Sequence, residues 1–430
     1  MMKSKLKLLF ILPCLLLASC NFKYAYTIQG LVIGGDTADE VDDGIDDAGT
    51  YNIKVWVDDK IVSLTQTQIQ EFVSLNSGKY TINATVEPQS EGTAASSMLQ
   101  DVQSGADIFV FAQDQLARLK VAGAVSKLTG NYETFVRTNN SEDSVKAASI
   151  KDNIYAYPIT SDNGYFLYYD TRIISATDAT NMTSILAKCK AAGKLLNFEG
   201  RSNGFYAASY FLATGCSSKW ELDETTGKFR SYEDNFNSDN GFIAAKGLKV
   251  IADTSVVASN SQASKLNGTA AAVISGVWEY EVALSRLGSY LGCAEMPSFT
   301  VNGQDYHLSS FDGYKLMGVK PQVDAKKASV CRKLARYLTS ASCQTERFKE
   351  VSWGPTNKQA SDREEVKSHP GLAALAKQHE YATQQGQCPG AWFVALSTAA
   401  KAIDVKIDDD GIRRVLDTYE KGLEELLSED

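Results

Sequence analysis

Beyond its first 20 residues, the chain has no apolar run that reaches the roughly 20 residues needed for a membrane-spanning helix. Histidine is scarce, with three in the chain, and no two cysteines form a Cys-x-x-Cys pair, so the usual ligand spacings of a zinc site are missing. The sequence also has no Gly-x-Ser-x-Gly, no His-Glu-x-x-His and no phosphate-binding loop. These absences argue against a metal centre and against hydrolases that use these motifs, and no cofactor is predicted.

Positive charge is also in short supply. The 430 residues carry 43 Lys and Arg against 52 Asp and Glu, a formal net charge of −9. Nucleic-acid binding depends on clustered positive charge, so no nucleic-acid partner is predicted. The length of the chain suggests two domains with ordinary hydrophobic cores.

The N-terminus has the pattern of an export signal. Three lysines precede the apolar run Leu8–Leu17, and small residues then lead to Cys20. The run is about half of a membrane span, which favours a cleaved signal peptide at residues 1–19. The sequence Leu-Leu-Ala-Ser-Cys resembles the signal box of bacterial lipoproteins, in which the cysteine carries lipid. We expect Cys20 to anchor the protein to the outer face of the cell membrane; the alternative is an ordinary secretory signal in which Cys20 is incidental.

Residues 20–50 are predicted to form an acidic, glycine-rich tether. Five glycines and seven acidic residues are interleaved between Asn21 and Thr50. Such a segment cannot bury enough apolar surface to offset the entropy that ordering costs. Its carboxylates lack the EF-hand spacing, so a calcium loop is the less favoured interpretation.

Six further cysteines follow the tether. They are Cys189, Cys216, Cys293, Cys331, Cys343 and Cys388. Export makes disulfides possible, and an even number is compatible with them. Buried free thiols are equally compatible, and the sequence does not decide the pairing.

After the tether, apolar strands alternate with helical segments. Asn52–Val57, Tyr80–Val86 and Asp107–Phe111 are predicted strands, and a helical pattern follows each of the first two. This alternation is typical of an α/β domain built around a sheet. Polar residues follow the third strand, and open α/β sheets bind ligands at the carboxyl ends of their strands. A second such alternation ends in an amphipathic helix around Ile412–Leu426.

The stretch Ile154–Asp170 connects these two halves. It holds two aromatic-rich strand segments, Ile154–Tyr157 and Tyr165–Tyr169. Pro158 and Gly164 lie between these two segments and favour a bend. The local pattern fits a simple hairpin and a flexible hinge equally well.

Several segments together carry a resemblance to a known family. They are Ala106–Leu119, Ile154–Asp170, Ala271–Tyr280, Gly354–Thr356 and Pro389–Leu396. In their order and spacing, these segments resemble the extracellular solute-binding proteins of sugar ABC transporters, the maltose-binding-protein family. The resemblance extends over nearly everything from Asn52 to the C-terminus.

The resemblance implies an α/β fold in the form of a two-lobed clamp, similar to the type II periplasmic binding proteins. Each lobe would hold a mixed sheet flanked by helices, and the chain would cross between the lobes three times. The crossings are expected at Thr160–Gly164, near Ser309–Gly313 and near Trp353–Thr356. The N-lobe would comprise residues 51–160 and 314–354, and the C-lobe residues 165–309 and 358–430. Ligand would lie in the cleft and the lobes would close around it.

The same resemblance implies a set of cleft residues. Trp278 and Trp392 match tryptophans that stack on sugar rings, although either residue could instead belong to a core. Asp114 matches an aspartate that accepts hydrogen bonds from sugar hydroxyls, and Gln113 occupies the neighbouring position. The next family residue is an arginine, and Gln115 replaces it here. Aromatic rings suit the apolar face of a pyranose, and carboxylates and amides suit its hydroxyl rim.

Further candidates match less well. Asp162 occupies a position where maltodextrin binders carry the longer glutamate, so the bound sugar is expected to differ. Arg201, Asn203 and Tyr206 lie near a family segment that bears a glutamate and a tyrosine, but an insertion blurs the register. Glu279 is expected beside the stacking tryptophan or in solvent.

The expected function is that of a lipid-anchored, monomeric receptor. It would bind an oligosaccharide, without cofactor or metal, and deliver it to the permease of an ABC importer. Three alternatives stay open at this point. The same clamp could bind a polyamine, a polyol or glycerol phosphate; the acids Asp114 and Asp162 could serve a glycosidase; or the protein could be a surface adhesin.

Overall fold

The computed structural model describes residues 44–76, 78–223 and 228–429, together with a short antiparallel pair formed by Thr27–Ile28 and Leu31–Val32. The predicted signal peptide at residues 1–19 and the lipid-bearing Cys20 lie outside the described residues, as does most of the tether before residue 44.

Ten strands in the described part of the chain form two five-stranded mixed sheets. In chain order they are β1 (Gly49–Val57), β2 (Tyr80–Pro88), β3 (Ile108–Ala112), β4 (Ala156–Thr160), β5 (Phe166–Asp170), β6 (Leu195–Asn197), β7 (Val257–Ala258), β8 (Ala270–Ser275), β9 (Leu291–Ala294) and β10 (Lys315–Val319). Shorter pairs join Ser149–Ile150 to Asn153–Ile154, Ser218–Leu222 to Phe229–Asp234, Ser298–Val301 to Gln304–His307, and Phe311–Asp312 to Thr383–Gln384.

Helices cover both sheets. Those of the described residues are α1 (Val62–Leu75), α2 (Ala94–Gln100), α3 (Leu116–Val121), α4 (Asn131–Asn139), α5 (Glu142–Ala147), α6 (Met182–Ala191), α7 (Gly204–Ala213), α8 (Asp239–Leu248), α9 (Tyr280–Leu287), α10 (Ala325–Leu338), α11 (Ala341–Val351), α12 (Lys358–Ser361), α13 (Glu364–Lys367), α14 (Pro370–Gln378), α15 (Gly390–Ala402) and α16 (Asp409–Glu429). None of these helices combines the length and the apolar character that a membrane span requires.

The first sheet, which defines the N-lobe, has the strand order β2-β1-β3-β10-β4. Strands β1, β2 and β3 run parallel, and β10 is antiparallel to both β3 and β4. In β1, the buried residues Ile53, Val55 and Val57 alternate with more exposed ones, as expected for a strand with one face against the core. Strand β3 is buried along its whole length, as expected for a strand covered on both faces.

The second sheet, which defines the C-lobe, has the order β7-β6-β8-β5-β9. Strand β6 is parallel to β7 and β8, and β5 is antiparallel to β8 and β9. Both sheets are therefore mixed, which confirms the predicted α/β class.

The chain passes between the sheets where the sequence predicts a bend. Strand β4 ends at Thr160 in the N-lobe sheet, and β5 begins at Phe166 in the C-lobe sheet, so the two strands do not form a hairpin. The chain returns to the N-lobe sheet with β10, and it leaves again after α11, because α14 packs on β5 and β9 of the C-lobe. The two-lobed architecture is thereby confirmed.

The folded part of the N-lobe begins before the predicted end of the tether. Asp47 is fully buried, and its carboxylate forms an ion pair with Lys333 at 2.7 Å and accepts a hydrogen bond from the hydroxyl of Tyr80 at 3.0 Å. Burial alone raises the pKa of Asp47, but hydrogen bonds from these partners outweigh burial and lower it. The expectation of a solvated tether through residue 50 is therefore wrong for Asp47, which a buried ion pair fixes to the lobe, and Gly49 and Thr50, although exposed, already belong to β1.

The six cysteines that follow the tether are all free thiols. Five are buried, and Cys293 is partly buried. Burial raises the pKa of Cys189 and of Cys331 to about 12. The sequence is compatible with disulfides and with buried free thiols, and the structure supports free thiols.

Candidate functional site

A cavity of about 630 Å³ lies between the two lobes. The N-lobe contributes a charged wall, which consists of Asp58, Lys60, Glu91, Asp114, Arg118 and Lys315. The C-lobe contributes an aromatic wall, which consists of Phe205, Tyr206, Trp278 and Phe393, with Asn203 beside it. Asn163 and Gln385 lie where the walls meet, and the Asn163 amide donates a hydrogen bond to the side-chain oxygen of Gln385 at 3.0 Å. The cavity thus brings together four of the predicted residues: Asp114, Asn203, Tyr206 and Trp278.

Asp114 follows the carboxyl end of β3, in a short turn that spans Gln113–Gln115. Its buried Oδ1 atom has no hydrogen-bond partner within the described residues. Burial raises the pKa of Asp114 to about 6, and the positive charge of Arg118 opposes this rise. Asp114 lines the cavity, and its carboxylate retains hydrogen-bonding capacity that no described residue uses.

Gln115 ties this turn to the loop that follows β2. Its amide donates to the carbonyl oxygen of Glu91 at 2.8 Å and accepts from the main-chain N–H of Ala95 at 3.0 Å. The residue that replaces the family arginine thus holds the two cavity-lining loops together.

A buried lysine organises the rest of the charged wall. Lys315 opens β10, and its ammonium group lies 2.9 Å from Glu91 and 3.7 Å from the centroid of the Trp353 ring. Burial disfavours the charge on Lys315, but attraction by Glu91 and Asp162 outweighs this penalty and raises its pKa. Burial, together with repulsion from Glu91, raises the pKa of Asp58 to about 6. Lys315 thus compensates carboxylates that would otherwise be buried without a counter-charge.

The charges on the cavity wall balance. Among the lining residues that the structure describes, three are acidic and three are basic, so their formal charges sum to zero. A cationic ligand needs an excess of acidic groups, and a phosphorylated ligand needs an excess of basic groups. The balance favours an uncharged ligand that bears many hydrogen-bonding groups.

The aromatic wall is assembled from three parts of the C-lobe. Trp278 lies in a short turn after β8, Phe205 and Tyr206 lie in the first turn of α7, and Phe393 lies in the first turn of α15. Tyr206 packs on Tyr165 with ring centroids 4.8 Å apart, and burial raises its pKa to about 12. The aromatic residues are therefore held by packing before any ligand arrives.

Two glycines permit this arrangement. A Cβ atom on Gly204 would lie 2.1 Å from the carbonyl oxygen of Phe393, so α7 and α15 approach too closely for any side chain at that position. A Cβ atom on Gly276 would lie 2.1 Å from the ring of Trp278. Both aromatic groups depend on a glycine for their present position.

Trp392 does not line this cavity. Its side chain is 3% exposed, its indole N–H donates to the hydroxyl of Tyr419 at 2.9 Å, and its ring packs against Phe236. Phe393 lines the cavity instead, because successive residues of an α-helix point about 100° apart. The structure therefore corrects the expectation that Trp392 lines this cavity: Phe393 takes its place here, and Trp392 lines a smaller cavity beside it.

Asp162 is also corrected, because it does not line the cavity. It is fully buried, and its Oδ2 atom accepts a hydrogen bond from the main-chain N–H of Gly354 at 2.7 Å. This bond joins the first interlobe crossing to the third. Burial raises the pKa of Asp162, and the charge of Lys315 opposes that rise.

Three other predicted residues have structural contacts and do not line the cavity. Gln113 donates to the carbonyl oxygen of Gln385 at 2.5 Å and accepts from the N–H of Tyr314 at 2.8 Å, next to the second crossing. Arg201 donates to the carbonyl oxygens of Ala400 at 3.3 Å and Lys401 at 2.7 Å, at the C-terminal end of α15. These contacts occupy the polar groups that were expected to reach the ligand.

Glu279, the third of these residues, accepts a hydrogen bond from the main-chain N–H of Ala263 at 2.9 Å. Its other oxygen lies 3.8 Å from the ammonium group of Lys60, on the opposite lobe. Asn203, which does line the cavity, caps α7 by accepting from the N–H of Phe205 at 3.0 Å.

Sequence reasoning missed most of the charged wall. Asp58 and Glu91 follow β1 and β2, at the same sheet edge as Asp114. The rule that placed the ligand site after β3 applies equally to these two neighbouring parallel strands and would have found both residues. Lys315 gives no such signal, because it opens a strand whose neighbours are apolar.

Metal ligands do not cluster in this site. Throughout residues 44–76, 78–223 and 228–429, no three His, Cys, Asp or Glu side chains are placed to hold a metal ion together. The site therefore offers hydrogen bonds and aromatic surface, and the described residues provide no metal cage.

Solved structures share this architecture. A protein solved with acarbose is 26% identical, with a TM-score of 0.76, over 88% of this chain and 100% of that one. A maltodextrin-binding protein from L. casei BL23, solved without ligand, is 21% identical, with a TM-score of 0.72, over 87% of this chain and 99% of that one. The GacH receptor of Streptomyces glaucescens GLA.O, solved free and with acarbose, is 14% identical, with a TM-score of 0.70, over 88% and 98% of the two chains. The last two likenesses concern the fold alone.

Sequence comparison points to one family. No curated protein gave a significant sequence match. Residues 67–374, which are more than half of the chain, match the family described as bacterial extracellular solute-binding protein. On this match, this protein belongs to the family of bacterial extracellular solute-binding proteins.

Proposed function

We propose that this protein binds an oligosaccharide between its lobes and delivers it to the permease of an ABC importer. The observation that carries the proposal is the pairing of a charge-balanced polar wall with an aromatic wall across one cavity. The N-lobe would comprise residues 51–160 and 314–354, and the C-lobe residues 165–309 and 358–430. Closure of the two lobes around the ligand would remove the ligand and both cavity walls from water.

The two walls suit the two surfaces of a sugar ring. The indole of Trp278 and the ring of Phe393 offer flat apolar surface to the C–H face of a pyranose. Asp58, Glu91 and Asp114 offer acceptors, and Arg118 offers a donor whose Nε is buried and has no partner within the described residues. Related folds have been solved with acarbose and with maltotetraose, which supports a glucose-based oligosaccharide as the first candidate ligand.

The alternatives fit the cavity less well. Three acidic and three basic residues leave no excess charge to favour a polyamine or glycerol phosphate. An acyclic polyol is neutral but lacks the flat apolar face that an aromatic wall would contact. A glycosidase built on Asp114 and Asp162 is disfavoured, because Asp162 is buried against Gly354 and away from the cavity. An adhesin would not need an internal cavity of this size.

The membrane anchor and the oligomeric state are part of the same proposal. The lipoprotein-type signal ending at Cys20 supports attachment of the mature protein to the outer face of the membrane. The protein would act there as a monomer, since it presents its cleft to one permease at a time.

A thermal-shift screen followed by calorimetry tests the proposal. Maltotriose, maltotetraose and acarbose would be compared with sorbitol, spermidine and glycerol 3-phosphate. A ligand present at a hundredfold excess over its Kd should stabilise the native protein by about 2.7 kcal/mol. The proposal predicts a shift with at least one oligosaccharide and none with spermidine or glycerol phosphate. Binding of spermidine alone, or release of shorter sugars during long incubation, would overturn it.

A matched pair of variants locates the site. A Cβ atom added to Gly390, which lines the cavity, would meet no atom within 4 Å. The backbone there has room for a side chain, so Gly390→Trp should obstruct the cavity and abolish the thermal shift. Gly422→Trp, the same change at another glycine whose added Cβ would meet no atom within 4 Å, lies in the C-terminal helix α16 and should leave the shift unchanged.

A further inference from the structure

A second cavity of about 340 Å³ adjoins the first. Gln385 and Phe393 line both cavities, so the two cavities share part of their wall. The second cavity lies within the C-lobe, between the hairpin that begins at Ser218 and the segment Thr383–Cys388. It therefore lies directly beside the cleft, on the C-lobe side.

Four aromatic residues form part of the wall of this second cavity. They are Trp220, Phe311, Trp392 and Phe393. Trp220 is held by its hairpin, because its indole N–H donates to Ser218 Oγ at 3.1 Å and its ring packs on Tyr232 with centroids 5.0 Å apart. Phe311 packs on Phe393 with centroids 6.1 Å apart. The wall is thus preorganised, as ligand sites usually are.

Polar groups are placed around this wall. Ser217, Gln384 and Gln387 line the cavity, and among the described residues that line it Lys219 is the one that carries a charge. Neutral hydrogen-bonding groups beside aromatic surface repeat the chemistry of the first cavity with less charge. A chain of identical neutral units would meet similar surroundings in both spaces.

We propose that the second cavity is a subsite for additional units of the bound oligosaccharide, past Phe393. This inference rests on the proposed function and extends it, because it defines the ligand as a chain longer than the first cavity can enclose. Trp220 serves as a stacking platform for the distal units, and the aromatic ring of Phe393 is shared by the units on either side of it.

The test is a calorimetric series of maltooligosaccharides from two to seven units. In the unaltered protein, affinity should continue to rise with chain length after the first cavity is filled. Trp220→Ala should weaken binding of the long sugars by about tenfold and leave the short ones unchanged. Unchanged affinity for the short sugars also shows that the variant is folded. Trp278→Ala, in the first cavity, should weaken binding at every length.

A pair of filling variants provides a second readout that does not require removal of a packed tryptophan. Gly386 lines the second cavity, and a Cβ atom added there would meet no atom within 4 Å, as at Gly390 in the first cavity. Gly386→Trp should abolish the gain in affinity with length, whereas Gly390→Trp should abolish binding of all lengths.

The outcomes separate the two proposals. If no sugar of any length binds the unaltered protein, the proposed function fails. If short sugars bind but affinity does not rise with length, or if Trp220→Ala and Gly386→Trp affect short and long sugars equally, the function stands and the second subsite is overturned.

Discussion

Lys60 of the N-lobe donates a hydrogen bond to the main-chain carbonyl oxygen of Trp278 in the C-lobe, at 2.7 Å. The same ammonium group lies 3.8 Å from the carboxylate of Glu279. Both lysine and tryptophan line the cavity, so this contact crosses the mouth of the cleft beside the aromatic wall. The contact between Lys60 and Trp278 can form only when the two lobes face each other, so it stabilises that arrangement.

Replacing this lysine should shift the lobes toward an open arrangement. Lys60 is partly exposed, and exposed ion pairs contribute about 0.2–1 kcal/mol. We therefore expect Lys60→Met to lower oligosaccharide affinity by about two- to fivefold. Small-angle scattering of the ligand-free variant should show a larger radius of gyration. Lys146→Met is the control, since Lys146 pairs with Glu142 within one helix of the N-lobe and should change neither quantity.

The two tryptophans that match the family should respond differently to substitution. Trp278→Ala removes a cavity-lining ring, so it should weaken sugar binding by about tenfold or more and change the unfolding free energy little. Trp392→Phe removes the hydrogen bond to Tyr419 from a nearly buried position, so it should lower the free energy of unfolding by about 1–3 kcal/mol. Urea denaturation and calorimetry on the same samples measure both quantities. Equal losses of affinity in the two variants would contradict this division of roles.

The comparison of these tryptophans shows what the sequence can predict. The alternation of strands and helices and the bend after Thr160 follow from local residue patterns, and the structure confirms both. Which of two adjacent helical residues faces a cavity depends on how the helix is rotated against its neighbours. The contact between Gly204 and Phe393 fixes that rotation for α15, and no pattern within α15 encodes it.

The charged wall shows the same limit. Asp58 and Glu91 lie at a predictable sheet edge, but Lys315 is brought to them by β10, which follows Glu91 by 315 − 91 = 224 residues in the chain. The resemblance places Asp162 in the cavity, but its carboxylate accepts a hydrogen bond from the main-chain N–H of Gly354, in another interlobe crossing. Long-range partners decide the direction of such side chains.

The bond between Asp162 and Gly354 should matter for stability more than for ligand contact. Asp162→Ala leaves the buried N–H of Gly354 without an acceptor, which should lower the free energy of unfolding by about 1–3 kcal/mol. Asp114→Ala is the matched control, because Asp114 Oδ1 has no protein partner within the described residues. The control should weaken sugar binding and destabilise the fold less. A larger loss of stability in the control would contradict the assignment of Asp162 to the hinge.

Asp114 should make stability depend on pH. Burial raises its pKa from 3.8 to about 6, so the folded state binds more protons than the unfolded state between these values. The stability contributed by this group is complete below about pH 4 and is lost as the pH rises through 6. Asp58 has a pKa raised to a similar value, but it is present in both proteins when Asp114→Asn is compared with the unaltered chain. The unfolding free energy of Asp114→Asn should therefore increase relative to that of the unaltered protein as the pH rises from 4 to 6.5. A difference between the two proteins that does not change with pH would contradict the raised pKa.

The same carboxyl group should give ligand binding the opposite trend. A sugar hydroxyl donates most strongly to the ionised carboxylate, so binding favours the deprotonated form of Asp114. Oligosaccharide affinity should then increase as the pH rises through about 6, the pKa of the buried group in the free protein. Asp114→Asn keeps the size of the side chain and removes its titration, so its affinity should be lower at pH 7.5 and should lose the part of the pH dependence that Asp114 contributes, while the contribution of Asp58 remains. Calorimetry with maltotetraose at several pH values measures this; an unchanged pH profile in Asp114→Asn would show that Asp114 does not accept a hydrogen bond from the ligand.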